Sequence, residues 1–110
     1  MDKFYVYVLR SIKDKKFYIG YTENLERRLE EHSKGLVAST KYRRPFILVY
    51  YEVCFNQESA LKREKYLKTT GGHRYLKNRI PNDNIGLHLE ELKLHRASRD
   101  SSLAGFFIEM

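Results

Sequence analysis

Three short runs of β-branched, aromatic and aliphatic residues constrain this chain most: Phe-Tyr-Val-Tyr-Val-Leu at 4–9, Phe-Tyr-Ile-Gly-Tyr at 17–21 and Phe-Ile-Leu-Val-Tyr-Tyr at 46–51. Such side chains pack well on a pleated surface, and runs of this length match strands. The first two flank a mostly polar stretch at 11–16, which suits a turn between antiparallel partners and puts Tyr7 near Tyr18. The third follows Pro45 and is apolar enough to be the central strand.

Between and after the strands the apolar spacing changes to that of helices. Thr22 or Asn24 can cap a helix running to about Ser33, with Leu25 and Leu29 one turn apart and Gly35 as its stop. This helix projects Arg28 and His32, at i and i+4, from one side next to the apolar stripe. Asn56 can cap a second helix through about Lys68, with Ala60, Leu61 and Leu67 facing inward and Gly71-Gly72 closing it. A short third helix fits 74–77. Glu64 falls within the apolar face of the second helix, where a lone carboxylate is costly to bury and calls for a cation, a metal or water.

These elements define an α/β domain: a small three-stranded, mainly antiparallel sheet flanked by helices. With 110 residues the chain has room for one core, expected over 1–80. Residues 81–110 read as a linker, a short amphipathic helix near 87–95 and a flexible tail. Lys and Arg outnumber Asp and Glu by 21 to 14, a net +7 that favours a polyanionic partner. The single Cys54 sits in an apolar run and reads as a buried structural thiol. No apolar stretch approaches the roughly 20 residues that span a bilayer, and no secretion signal is evident, so a cytoplasmic protein without membrane contact is expected.

The chemistry-bearing residues are two strand tyrosines, an Arg and a His on one helix face, and the misplaced Glu64. This set suits phosphodiester hydrolysis, which needs a base for water, a cation for the phosphate and usually a divalent ion. In order, Tyr5-Val6-Tyr7, then Tyr18-Ile19-Gly20 with eleven residues from Tyr7 to Tyr18, then Asn24-Leu25-Glu26-Arg27-Arg28-Leu29-Glu30-Glu31-His32 resemble the GIY-YIG nucleases. The stretch Ser59-Ala60-Leu61-Lys62-Arg63-Glu64-Lys65-Tyr66-Leu67-Lys68 is similar to the segment in which that family keeps its metal-binding glutamate. The resemblance covers about residues 4–79 and is strongest to small stand-alone bacterial members. It implies that Tyr7 and Tyr18 line the site and one helps deprotonate water, that Arg28 binds the scissile phosphate, and that His32 contacts phosphate or relays a proton. It also implies that Glu64 holds a single Mg²⁺ or Mn²⁺. Tyr5 stands where the family name has Gly, and Asn78 in its Lys77-Asn78-Arg79 setting does not match the family's downstream asparagine.

Each residue also has a plainer role. Tyr7 and Tyr18 can be cross-strand core partners, Arg28 can pair with Glu31 at i+3, His32 can sit in the field of the helix C-terminus, and Glu64 can pair with Lys68. The acid-free stretch at 33–44 adds Lys41, Arg43 and Arg44, and α-helical Arg63 and Lys68 join them as candidate phosphate contacts. The expectation is a metal-dependent DNA endonuclease, structure-selective and linked to repair or recombination. A non-catalytic nucleic-acid-binding accessory module on the same scaffold is the alternative. RNA is a more remote partner, and the sequence carries no signal of oligomeric state.

Overall fold

The structure, a computed structural model, describes residues 2–80. The linker, helix and tail expected over 81–110 lie outside the described residues. The described chain forms β1 (Phe4–Ser11), β2 (Phe17–Thr22), α1 (Leu25–Ser33), a 3-10 turn (Lys41–Arg43), β3 (Phe46–Cys54), α2 (Gln57–Leu67) and α3 (Thr70–Arg79). The three strands make one antiparallel sheet in the order β2-β1-β3.

The central strand is therefore β1, where the sequence pointed to β3. Every residue of β1 at 6–11 is buried, whereas β3 is buried only at Phe46 and Ile47 and alternates toward solvent thereafter. A polar Glu52 and an exposed Val53 mark that second half as an edge.

Alternation along β1 divides the core in two. Val6 and Val8, with Ile19 of β2, face Ala60 and Leu67 of α2, Leu76 of α3 and Ile80. Tyr7 and Leu9 point the other way, onto Leu25 and Leu29 of α1 and Phe46 of β3. Burying each of these aliphatic side chains contributes about 1.5–3 kcal/mol, enough to fix the strand's facing, since a one-residue slip would exchange the two sets.

Asn24 caps α1, accepting from the Arg27 amide at 3.0 Å, and Asn56 caps α2 through the Ser59 amide at 3.0 Å. Gly35 ends α1 with φ +76°, while its own amide donates to His32 O and the Leu36 amide to Glu31 O. The end of α2 differs from expectation. It stops at Leu67, and Gly71-Gly72 lie inside α3, which starts at Thr70 because Thr69 caps it through the Gly72 amide at 3.1 Å. Gly72 passes so close to the Tyr66 carbonyl and the Leu67 backbone that no Cβ fits there. Leu61, expected inward, is 44% exposed, because the buried stripe runs through Ala60 and Leu67 and leaves it on the flank. Cys54 is half-buried against the α2–α3 core, and burial pushes its thiol pKa up.

Candidate active site

Register places the tyrosines. Tyr7 faces Gly20 across the β1–β2 ladder and Leu9 faces Tyr18, so Tyr7 and Tyr18 are diagonal neighbours on the α1 side. Their ring centroids are 6.3 Å apart. Tyr7 is fully buried and lies over Gly20, where any Cβ would strike its ring and hydroxyl.

The last turn of α1 brings His32 against both rings, edge-on, at 5.6 Å from Tyr7 and 5.1 Å from Tyr18 between centroids. Its Nε2 is 2.8 Å from the Tyr7 hydroxyl and its Nδ1 2.8 Å from Thr40 Oγ1. Thr40 Oγ1 donates to the Val37 carbonyl at 3.4 Å, so the network assigns the proton of the neutral ring to Nδ1, donating to Thr40. Nε2 is left to accept from the Tyr7 hydroxyl. Burial, and then the positive charge of Arg28, lowers the His32 pKa to about 4, so the ring is neutral at physiological pH.

Arg28 lies one turn before His32. Its Nη1 donates to Glu31 Oε1 at 2.9 Å, the i+3 pair expected of a helical Arg, and its positive charge acts on Tyr7. Burial drives the Tyr7 phenol well above its ordinary pKa, the neighbouring Arg28 guanidinium pulls it back, and the charges of Tyr18 and Glu64 push it up again. The Glu64 charge reaches Tyr7 as the smallest of these effects, although α1 and α2 cover opposite faces of the sheet. The Glu64 side chain is 21% exposed, and its Oε2 accepts from Lys68 Nζ at 3.0 Å.

The structure therefore groups Tyr7, Tyr18, Arg28 and His32 on the α1 side, while Glu64, from α2, reaches Tyr7 only through its charge. The family model of the GIY-YIG catalytic domain matches residues 3–80, which contain all five. The chain belongs to the GIY-YIG family. It is 42% identical over 78 residues to a UPF0213 protein of Staphylococcus saprophyticus, covering 70% of this chain and 94% of that one. It is also 44% identical over 70 residues to a UPF0213 protein of Syntrophus aciditrophicus, covering 62% and 79%. The solution NMR structure of the UPF0213 protein BH0048 from Bacillus halodurans is similar over 74% of this chain and 87% of that one, at 30% identity and a TM-score of 0.46. GIY-YIG domains are nuclease domains, so the function is of nuclease type and the substrate class is nucleic acid.

Basic residues of this GIY-YIG domain are more dispersed than the five. Lys41 is exposed, its Nζ 5.2 Å from the Tyr42 ring centroid. Arg43 clamps Asp14 at 2.7 Å and also reaches the Lys16 carbonyl, fastening the loop to the β1–β2 turn. Arg44 donates to the Ser33 and Lys41 carbonyls. Arg63 makes a forked contact with Glu52 at 3.0–3.1 Å and lies over the rings of Tyr66 and Tyr75, which ties α2 to β3 and α3. Lys68 is exposed and paired with Glu64.

GIY-YIG nucleases generally use a divalent metal. Among the described residues no group of three or more His, Cys, Asp or Glu can hold one, so Glu64 stands as a single carboxylate. Its half-buried carboxylate fits a hard cation that keeps several waters and takes phosphate oxygen as its remaining ligand. No described helix is long and apolar enough to cross a membrane.

Sequence reasoning alone does not reach Thr40 or the need for Gly20. Thr40 acts on His32 from eight residues away across a turn, and Gly20 matters because of a ring on another strand. No local pattern signals Thr40, and Gly20 is marked only as part of the Tyr18-Ile19-Gly20 motif, without its steric reason. Asn78 is exposed on α3 and is given no role.

Proposed function

We propose that the protein is a metal-dependent endonuclease hydrolysing DNA phosphodiester bonds, with selectivity for branched, nicked or flapped structures and a role in DNA repair or recombination in the cytoplasm. The observation that carries this reading is the buried Tyr7 hydroxyl, hydrogen-bonded to His32 Nε2 and acted on by the charges of Arg28 and Glu64.

In this mechanism the phenolate of Tyr7 never accumulates. Burial keeps the phenol protonated, so Tyr7 passes its proton to neutral His32 Nε2 as its oxygen takes a proton from the attacking water. Thr40 holds the imidazole in the tautomer that can accept. Arg28 offers its remaining donors to the phosphate oxygens, where a planar guanidinium fork matches paired acceptors better than Lys does. Glu64 would hold Mg²⁺ or Mn²⁺, which when bound would supply Lewis-acid stabilisation of the phosphate and the leaving oxygen. Tyr18 meets His32 edge-on and limits its movement. Lys41 and Lys68, both exposed, contact flanking phosphates, while Arg43, Arg44 and Arg63 are spent chiefly on internal contacts.

The test is incubation of the purified protein with labelled branched, nicked, single-stranded and duplex DNA and matched RNA, in Mg²⁺, Mn²⁺ or EDTA. Metal-dependent product, fastest on discontinuous or branched DNA, is the expected result. Salt-sensitive binding without product in any metal would overturn the enzyme reading in favour of an accessory binding module.

A further inference from the structure

On the sheet face away from Tyr7 and His32, the β1–β2 turn and α3 border a cleft of about 560 Å³. Arg10 of β1, only 3% exposed, lines it with its guanidinium 4.6 Å from the centroid of the Phe17 ring. His73 of α3 meets the same ring edge-on at 6.1 Å between centroids. Lys16 and Lys77 are exposed, and Arg43 enters from the loop with its charge offset by Asp14. Among the described residues no carboxylate lines the cleft.

Lys16 from the turn and Lys77 from α3 bring positive charge to the cleft from two elements, and an anion seated between them is favoured by both. Arg10 and His73 already flank the one aromatic ring, Phe17, which leaves little of it for base stacking; the cleft offers charge and N–H donors, which suits a phosphodiester. Arg10 is three residues along β1 from Tyr7, about 10 Å, and on the opposite face. A phosphate seated here belongs to a different segment from the one presented to Tyr7.

We propose that this cleft is a second phosphate-backbone site, which holds a nucleic-acid arm other than the arm at the catalytic tyrosines, so that branched or sharply bent substrates are gripped at two places. The proposal rests on the reading of the substrate as nucleic acid but does not require cleavage.

The test compares Lys16→Ala/Lys77→Ala with a charge-matched control, Lys3→Ala/Lys62→Ala, in the full chain. Both pairs are exposed, so neither change should disturb folding. Binding of a four-arm branched DNA and of a short single-stranded oligonucleotide is followed by fluorescence anisotropy in EDTA across a salt series. For the cleft pair, the slope of log affinity against log salt on branched DNA should fall by about 1.8, with the oligonucleotide slope and the control unchanged. An unchanged slope on branched DNA, an equal fall on both ligands or in the control, or no binding by the wild type overturns the cleft. Cleft-dependent binding without metal-dependent cleavage would refute the nuclease reading alone, and cleavage with binding indifferent to the cleft pair would refute the cleft alone.

Discussion

Replacing Gly20 by Ala adds one methyl group at the point where the Tyr7 phenol crosses β2. A Cβ built there lies 2.6 Å from Tyr7 Cε1 and closer still to Cζ and the hydroxyl. Carbon contacts are comfortable only from about 3.5 Å, so the ring must retreat by about 1 Å. Tyr7 is fully buried, with Leu29 and His32 also at zero exposure around it, so this retreat is overpacking and should cost about 1–3 kcal/mol. It also acts on chemistry. The hydroxyl starts 2.8 Å from His32 Nε2, and a displacement of about 1 Å away from the imidazole breaks that hydrogen bond. Misplacement of this size in a catalytic group costs about 10²-fold in rate. Equilibrium urea unfolding and single-turnover cleavage read the two effects, with Gly71→Ala as control, since a Cβ there meets nothing nearer than 3.6 Å. A Gly20→Ala protein with wild-type midpoint and wild-type rate would refute the claim that this glycine exists to admit Tyr7.

Tyr7→Phe should slow cleavage by about 10²–10⁴-fold while costing about 1–3 kcal/mol of stability through the unsatisfied His32 Nε2; a wild-type rate would remove Tyr7 from the proton path. His32 titrates near 4 in the folded protein against about 6.5 in an unfolded chain, so the unfolded state binds more protons between those values. Stability should therefore be constant above about pH 6.5 and fall by up to about 3 kcal/mol as the pH drops to about 4, a loss absent in His32→Gln and measured as urea midpoints. Glu52→Gln should lower stability by about 1–3 kcal/mol, since it leaves Arg63 half-buried with a weakened partner, and should leave cleavage unchanged; a cleavage defect without destabilisation would put Arg63 in the substrate site instead.

The elements legible in the sequence were those whose signals are local. Asn24 and Asn56 cap where their spacing suggests, Gly35 stops α1, and the three apolar runs become strands. The pairing of β1 with β2 and the placing of Arg28 and His32 on one helical side follow from periodicity, and with them most of the site. What the sequence could not reveal depended on distant contacts. Whether β1 or β3 takes the centre is decided by which strand finds helices on both faces, and both runs are apolar enough to qualify. Gly71-Gly72 read as a helix stop because nothing nearby signals that Gly72 must slip past the α2 backbone. Arg63 looked available for phosphate until Glu52, eleven residues away on β3, came beneath it.

If Tyr7, Tyr18, Arg28, His32 and Glu64 form one hydrolytic site, cleavage must be lost with the Glu64 carboxylate. The decisive assay is metal-dependent cleavage of branched DNA with wild-type and Glu64→Ala protein purified in parallel, each checked by thermal unfolding. Glu64→Ala should unfold near the wild-type temperature, since it removes only a partly exposed pair with Lys68, and should yield no product in Mg²⁺ or Mn²⁺. Cleavage by Glu64→Ala at the wild-type rate would contradict the one-site arrangement.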